Sequence, residues 1–219
     1  MTQANSVETP VYQGQFGEFT ITDRDRREVI IYRSGLMVAA LSFAIGTTLV
    51  LWQGTSPMVL NASSALYACF CIALGVSLLT IHIYLGALHR LLQLFWLVGS
   101  AAALWFALNY STPLAVTLYD RPAALFGIGF TFAALTGIYF KEAFCFNRLE
   151  TKLLTPVVPL LILGHLFGFL SPYGEKILLA IWAVLFLVFG LRKAFQAIPD
   201  DIGDKSVFEY LKKQKKAQA

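Results

Sequence analysis

"ASSALYACFCIALGVSLLTIHIYLGALHRLLQLFWLVGSAAALWFAL", residues 62–108, is one apolar run too long for a single membrane crossing. A helix needs about 20 apolar residues to span a bilayer. The way this run divides decides the fold, because it sets whether the crossings are odd or even in number. "GALHRLLQ", 86–93, supplies a break: Gly86 loosens the helix, and His89, Arg90 and Gln93 mark a return to water or headgroups. A re-entrant segment is the alternative. Both halves are long enough to cross, which favours two spans.

Outward from that run, the same reading gives six spans at about 34–53, 62–88, 91–108, 122–140, 153–170 and 176–192. Together they take most of the 219 residues, of which 57% are hydrophobic and only 14% charged. Soluble domains carry about 25% charged residues, so a soluble domain of ordinary size is excluded. The expected fold is an all-α, polytopic helical membrane bundle of six transmembrane helices. Residues 1–22 are expected to be a mostly flexible arm, 23–192 the membrane domain, and 193–219 a basic tail with a short helix.

Six spans place both termini on one side. Fifteen of the seventeen lysines and arginines then share that side, and only Arg121 and Lys176 lie opposite. Basic residues concentrate in cytoplasmic loops, so the termini are expected in the cytoplasm, or in the stroma of a plastid. This bias accounts for the net charge of +4 without any nucleic-acid partner. The expected partner surface is the lipid bilayer, whose anionic headgroups suit inner-face lysines. About 33 polar residues precede the first span, which reads as a retained anchor and not as a cleaved signal.

The soluble pieces are short. Asp23 is offered as the N-cap of a helix running through Arg33 into the membrane, with a hairpin pairing 18–22 and 28–33 as the alternative. Residues 1–13 are expected to lack order. "SVFE", 206–209, reads as a capping box in which Ser206 and Glu209 open the tail helix.

Few residues offer chemistry. Cys69 and Cys71 in "CFC" stand about 200° apart around a helix and cannot share a metal. His165, in "LILGHLFGFL", is the one ionisable residue within the fifth span, and such residues mark candidate sites. Gly164 and Gly168 flank it as a GxxxG pair for close helix approach, and Gly129, Ala133 and Gly137 make a similar stripe in the fourth span. His82 is its candidate partner for haem or chlorophyll. From inner-face anchors, His82 lies roughly 12 Å deep and His165 roughly 20 Å, a mismatch that disfavours joint ligation. No set of three or four metal ligands emerges by spacing, so neither a metal site nor a metal enzyme is expected. Pro156 and Pro159 should kink the start of the fifth span or hold it back from regular helix.

"KEAFCFNRLETK", 141–152, connects the fourth and fifth spans. Read as an interfacial helix, it puts Lys141, Arg148 and Lys152 on one stripe and Phe146 on another, with Phe144 among its aromatics, as an inner-face interaction surface. Glu142 and Glu150 read as salt-bridge partners of nearby basic groups. Cys145 has no histidine close in sequence to activate it, so no catalytic residue is assigned.

"GIGFTFAALTGIYFKEAFCFNRLETKLLTPVVPLLILGHLFGFL", 127–170, resembles the core of a family of uncharacterised integral membrane proteins, a domain of unknown function, found in cyanobacteria and plastids. "VYQGQFGEF", 11–19, and "EVIIYRSGL", 28–36, are similar to its N-terminal part. The resemblance implies a cyanobacterial or chloroplast membrane such as the thylakoid, and makes chlorophyll a more credible ligand for His165 or His82. It implies no reaction. Two functions follow as expectations. One is a non-catalytic assembly or organising factor for a membrane complex, photosynthetic if the resemblance holds. The other is a small-solute carrier or channel with His165 and the Pro156/Pro159 kink in its pathway.

Overall fold

The computed structural model describes residues 10–54 and 56–217. A β-hairpin comes first, β1 (Val11–Gly14) and β2 (Gly17–Thr20), followed by helices α1 (Asp23–Gln53), α2 (Pro57–Thr80), α3 (Gly86–Asn109), α4 (Leu114–Asp120), α5 (Leu125–Phe146), α6 (Leu149–Leu166), α7 (Pro172–Ala194), α8 (Ile198–Ile202) and α9 (Lys205–Ala217). Six of these helices, α1, α2, α3, α5, α6 and α7, are long and apolar enough to cross a membrane. They close a ring in the order α1–α2–α3–α5–α6–α7, with α7 returning to α1.

Local chemistry places the helix ends. Thr22, and not Asp23, caps α1: its hydroxyl accepts the Asp25 amide at 3.3 Å, while Asp25 accepts the Thr22 amide at 2.7 Å. Only Thr22 stands three residues before a side chain able to reach back. Ser56 caps α2 just before Pro57. The break in the long apolar run lies at 81–85, earlier than 86–93, and His89 and Gln93 are already inside α3. They mark the break from a distance. The Leu78 carbonyl, freed where α2 stops, accepts from Gln93 at 3.2 Å and meets His89 Nε2 at 2.6 Å. A buried carbonyl left without a donor is costly, so the two polar side chains belong where they sit.

Asn147, in the left-handed region at φ 53°, ends α5 and turns the chain into α6. Residues 141–146 therefore continue α5 and form no interfacial helix. Both Pro156 and Pro159 lie inside α6, where they withhold amides from the Lys152 and Thr155 carbonyls.

The middle of the ring is filled by aromatic side chains. Phe70, Phe132, Trp182 and Phe186 are buried there against Phe43 and Tyr67, and Trp182 donates to the Tyr139 hydroxyl at 3.3 Å. The helices approach most closely elsewhere than the expected small-residue stripes. A methyl on Gly99 of α3 would strike the Thr131 backbone of α5, and one on Gly35 of α1 would lie 2.7 Å from the Ala73 carbonyl of α2. Of the predicted stripe, Gly137 meets the Leu92 side chain, Gly129 has ordinary contact with Ile162 at 4.0 Å, and Ala133 is exposed. Gly164 and Gly168 form a turn and no helix seam. Gly168 has φ 69°, and the Gly164 carbonyl accepts the Phe169 amide at 3.1 Å. That is how helices commonly end, with glycine in the left-handed conformation.

The segment after residue 10 packs on the segment around 204–210. Residues 11–20, expected to be part of a flexible arm, form a hairpin in the register Val11↔Thr20 to Gly14↔Gly17. The alternative hairpin fails because 28–33 are helical. Phe16 stacks on Tyr210 of α9, with centroids 4.0 Å apart. The Gln15 amide donates to Asp204 at 2.6 Å and the Phe16 amide to Ser206 at 3.0 Å. Asp204 also accepts the Ser206 amide at 2.9 Å, so it opens α9 in the role expected of Ser206. Ile21, Val29 and Ile202 make a small core beneath this cap. Residues 1–9 lie outside the described residues.

Candidate functional site

The densest chemistry sits under that cap, in an ion network that α1, α5, α7 and α8 build together. Glu142, near the end of α5, and Lys193, near the end of α7, are both fully buried, and the lysine donates to the carboxylate at 2.5 Å. The other Glu142 oxygen accepts Lys141 at 2.9 Å and the Tyr32 hydroxyl at 3.2 Å. Lys193 also pairs with Asp201 of α8 and donates to Gln196 at 3.3 Å. Arg33 of α1 then closes the chain of contacts. Its Nε reaches Asp201 at 2.7 Å, and its two terminal nitrogens reach the Gln196 and Ala197 carbonyls at 2.6 and 3.0 Å. A second pair, Arg192–Glu150 at 2.9 Å, ties α7 to α6.

Buried ions survive only when paired and hydrogen-bonded, and at the centre of the cluster each Lys193 proton and each Arg33 nitrogen has an acceptor. The cluster therefore holds four segments in one arrangement. Phe146 forms its outer wall: Lys193, Lys141 and Arg148 lie 4.3, 5.5 and 5.5 Å from the ring centre. The expected interaction surface divides accordingly. Lys141 and Phe146 turn into the cluster, Arg148 donates to Gln196 at 2.8 Å, and Phe144 and Lys152 remain exposed.

The two candidate histidines lie at opposite ends of the bundle and do not meet. His82 falls in the 81–85 connector and not within a span, 3.5 Å from Glu28. Its largely buried ring has a lowered pKa because burial disfavours the charged form, with Glu28 opposing the shift. Asp25, Glu28 and His82 bring their ligand atoms within 4.8 Å of one another. Asp25, however, already holds Lys205 at 2.7 Å, and Glu28 holds Arg24 at 2.8 Å. His165 stands at the far end of α6, where Nδ1 meets Glu175 of α7 at 2.8 Å and the ring lies 5.2 Å from that of Tyr119. Cys69 is exposed and Cys71 buried, as their positions around one helix require. Also at the far end, a cavity of about 560 Å³ is lined by Tyr110, Ser111, Thr112, Val116, Thr117, Asp120 and Arg121.

Sequence reasoning missed the network's long-range half. Glu142 and Glu150 read as partners of nearby basic groups, and Glu142 does hold the adjacent Lys141, but Lys193 on Glu142 and Arg192 on Glu150 come from 51 and 42 residues away. Tyr32, Arg33 and Asp201 looked like interface and tail residues. One signal was available: Lys193 and Asp201, of opposite charge, stand eight residues apart at the end of the last apolar run.

Comparison with known proteins adds a family. The profile described as "Uncharacterized integral membrane protein (DUF2301)" matches residues 76–210. An uncharacterized protein of Haemophilus influenzae is 30% identical over 193 residues, covering 84% of this chain and 92% of that protein. No solved structure matches the chain.

Proposed function

The chain belongs to the DUF2301 family of integral membrane proteins, and from that premise we propose that it is a non-catalytic organising protein that presents its terminal cap to subunits of a membrane complex. One observation carries the reading. The 11–20 hairpin, the α8–α9 segment and the 81–85 connector are built into a single folded surface, with the Tyr84 ring packed at a tilt on Phe208 and its hydroxyl accepting the Asp204 amide. The buried ion network locks that surface to the spans. An ordered cap suits recognition, and the exposed Phe144 and Phe195 beside it offer apolar contact area. The relative in Haemophilus influenzae extends the family beyond the cyanobacteria and plastids that the resemblance implied, so the proposed complex is not restricted to photosynthetic membranes. The lysine and arginine bias supports a cytoplasmic cap.

The test is purification from native membranes in mild detergent, followed by native electrophoresis and cross-linking. Wild type should run with partners in fixed stoichiometry. Lys205→Glu, which sets the hairpin–α9 contact against Asp25, should release them while the bundle keeps its melting temperature. A lone chain in both cases refutes the reading. The carrier reading rests on a different observation, the far-end cavity, whose wall at Asp120 adjoins the Tyr119 that contacts His165. Solute uptake by proteoliposomes that is lost in His165→Ala would favour it.

A further inference from the structure

The ion network does not balance. Arg33, Lys141, Lys193 and Arg148 bring four positive charges to it, and Glu142 and Asp201 supply two negative ones. Glu150 does not correct the sum, since its Oε2 is held by Arg192. The surplus can also be located. Lys193 uses its three protons on Glu142, Asp201 and Gln196, and all three nitrogens of the Arg33 guanidinium have acceptors. Among the described residues, Lys141 has Glu142 alone. Among the same residues Arg148 has only Gln196, through Nη2, and its Nη1 is buried without a partner. Two under-used cations thus stand 5.5 Å from the centre of the same Phe146 ring, beside a saturated third at 4.3 Å.

Ring faces attract cations, but three cations around one ring repel each other, and a buried donor without an acceptor costs free energy. A second orphan lies in the same turn, where Glu150 Oε1 is buried and unpartnered in a side chain only 4% exposed. α6 begins there with no side chain capping its first amides, so its dipole adds positive potential. We infer that Arg148 and Lys141 hold one phosphate-bearing anion at the α5–α6 turn. Phosphate chemistry matches the free guanidinium edge, which binds phosphate oxygens in a fixed fork. The turn joins two helices long and apolar enough to cross a membrane, a place where headgroups are expected, so the phosphate belongs either to an anionic lipid or to a free phosphate ion. A protonated hydroxyl on the same ligand would satisfy Glu150 Oε1.

Native mass spectrometry of the delipidated, detergent-solubilised chain tests this, with dioctanoyl phosphatidylglycerol, dioctanoyl phosphatidylcholine and sodium phosphate as probes. Phosphatidylglycerol should bind one per chain, at least tenfold more weakly to Arg148→Gln and to Lys141→Gln, and unchanged to a Lys212→Gln/Lys213→Gln control on exposed α9. Arg148→Lys, which keeps the charge and the fold but loses the fork, should fall between. Phosphate that protects wild type against heating, but not Arg148→Gln, with no lipid retained, assigns the site to the free ion. Equal binding by wild type and Arg148→Gln, or phosphatidylcholine bound as tightly as phosphatidylglycerol with no effect of phosphate, overturns the inference.

Discussion

Replacing Glu142 by glutamine removes one negative charge from the ion network and almost no volume. The carboxylate is fully buried, with Lys193 at 2.5 Å and Lys141 at 2.9 Å. At an effective dielectric of about 20, each contact is worth roughly 6 kcal/mol of Coulomb attraction. Glu142's own desolvation, and the hydrogen bonds a glutamine still accepts, offset most of the combined ~12 kcal/mol, leaving a net loss of about 3–5 kcal/mol, the usual cost of breaking a buried pair from one side. For a chain of this size that is a fall of roughly 6–20 °C in melting temperature. Thermal unfolding of the purified protein, followed by tryptophan fluorescence, measures it. Trp182 is a suitable reporter because it donates to Tyr139, three residues before Glu142. Adding Lys193→Met to Glu142→Gln should restore part of the loss, since one stranded cation is removed with its partner. A fall of less than about 3 °C, or strictly additive losses, would refute a sealed network and mean that water reaches these groups.

Three further outcomes follow from the packing and the connector. Gly99→Ala should destabilise by about 1–3 kcal/mol, because the methyl meets the Thr131 backbone, whereas Gly129→Ala should stay within about 0.5 kcal/mol; parallel melts in one detergent compare them. His89→Ala with Gln93→Ala should cost about 1–3 kcal/mol by stranding the Leu78 carbonyl, and hydrogen exchange at the end of α2 should rise. His82 has its folded pKa below the ordinary 6.5, chiefly through burial. The unfolded chain therefore takes up the proton more readily, and stability present above about pH 6.5 is lost as pH falls below it. His82→Gln should flatten that acid-side decline in a melting series from pH 7.5 to 5.

The membrane architecture was legible because it rests on local quantity. Enough consecutive apolar residues specify a span whatever it packs against, and six such runs gave six helices. Ends were less legible. Lys141, Glu142 and Phe146 looked too polar and irregular for a span, yet they extend α5 because Lys193 supplies the missing charge from the far side of the ring. The small-residue stripes misled for a related reason. Gly129 and Ala133 have the spacing for a seam, but the contact that needs glycine is made by Gly99, whose neighbour is a backbone segment that local spacing does not reveal. Of the candidate site, the basic residues near 141–152 were visible as a group. The direction of two of them, Lys141 toward Glu142 and Arg148 toward Gln196, depends on contacts that spacing does not reveal, and Gln196 lies in a tail that reads as solvent-exposed.

The hairpin–α9 contact joins residues 189 and 190 positions apart, and this sets an order on biosynthesis. Gln15 and Phe16 leave the ribosome first, while Asp204 and Ser206 come only after all six spans have been made. Until the tail is made Arg33 and Lys193 lack Asp201, and the first strands lack Ile202 and α9 to pack on. A chain that stops after α7 could insert every helix and still leave Arg33 without its carboxylate, Lys193 with Glu142 alone, and the hairpin without α9. Completion of the cap thus separates a finished chain from a truncated one, in a form that a membrane protease could read.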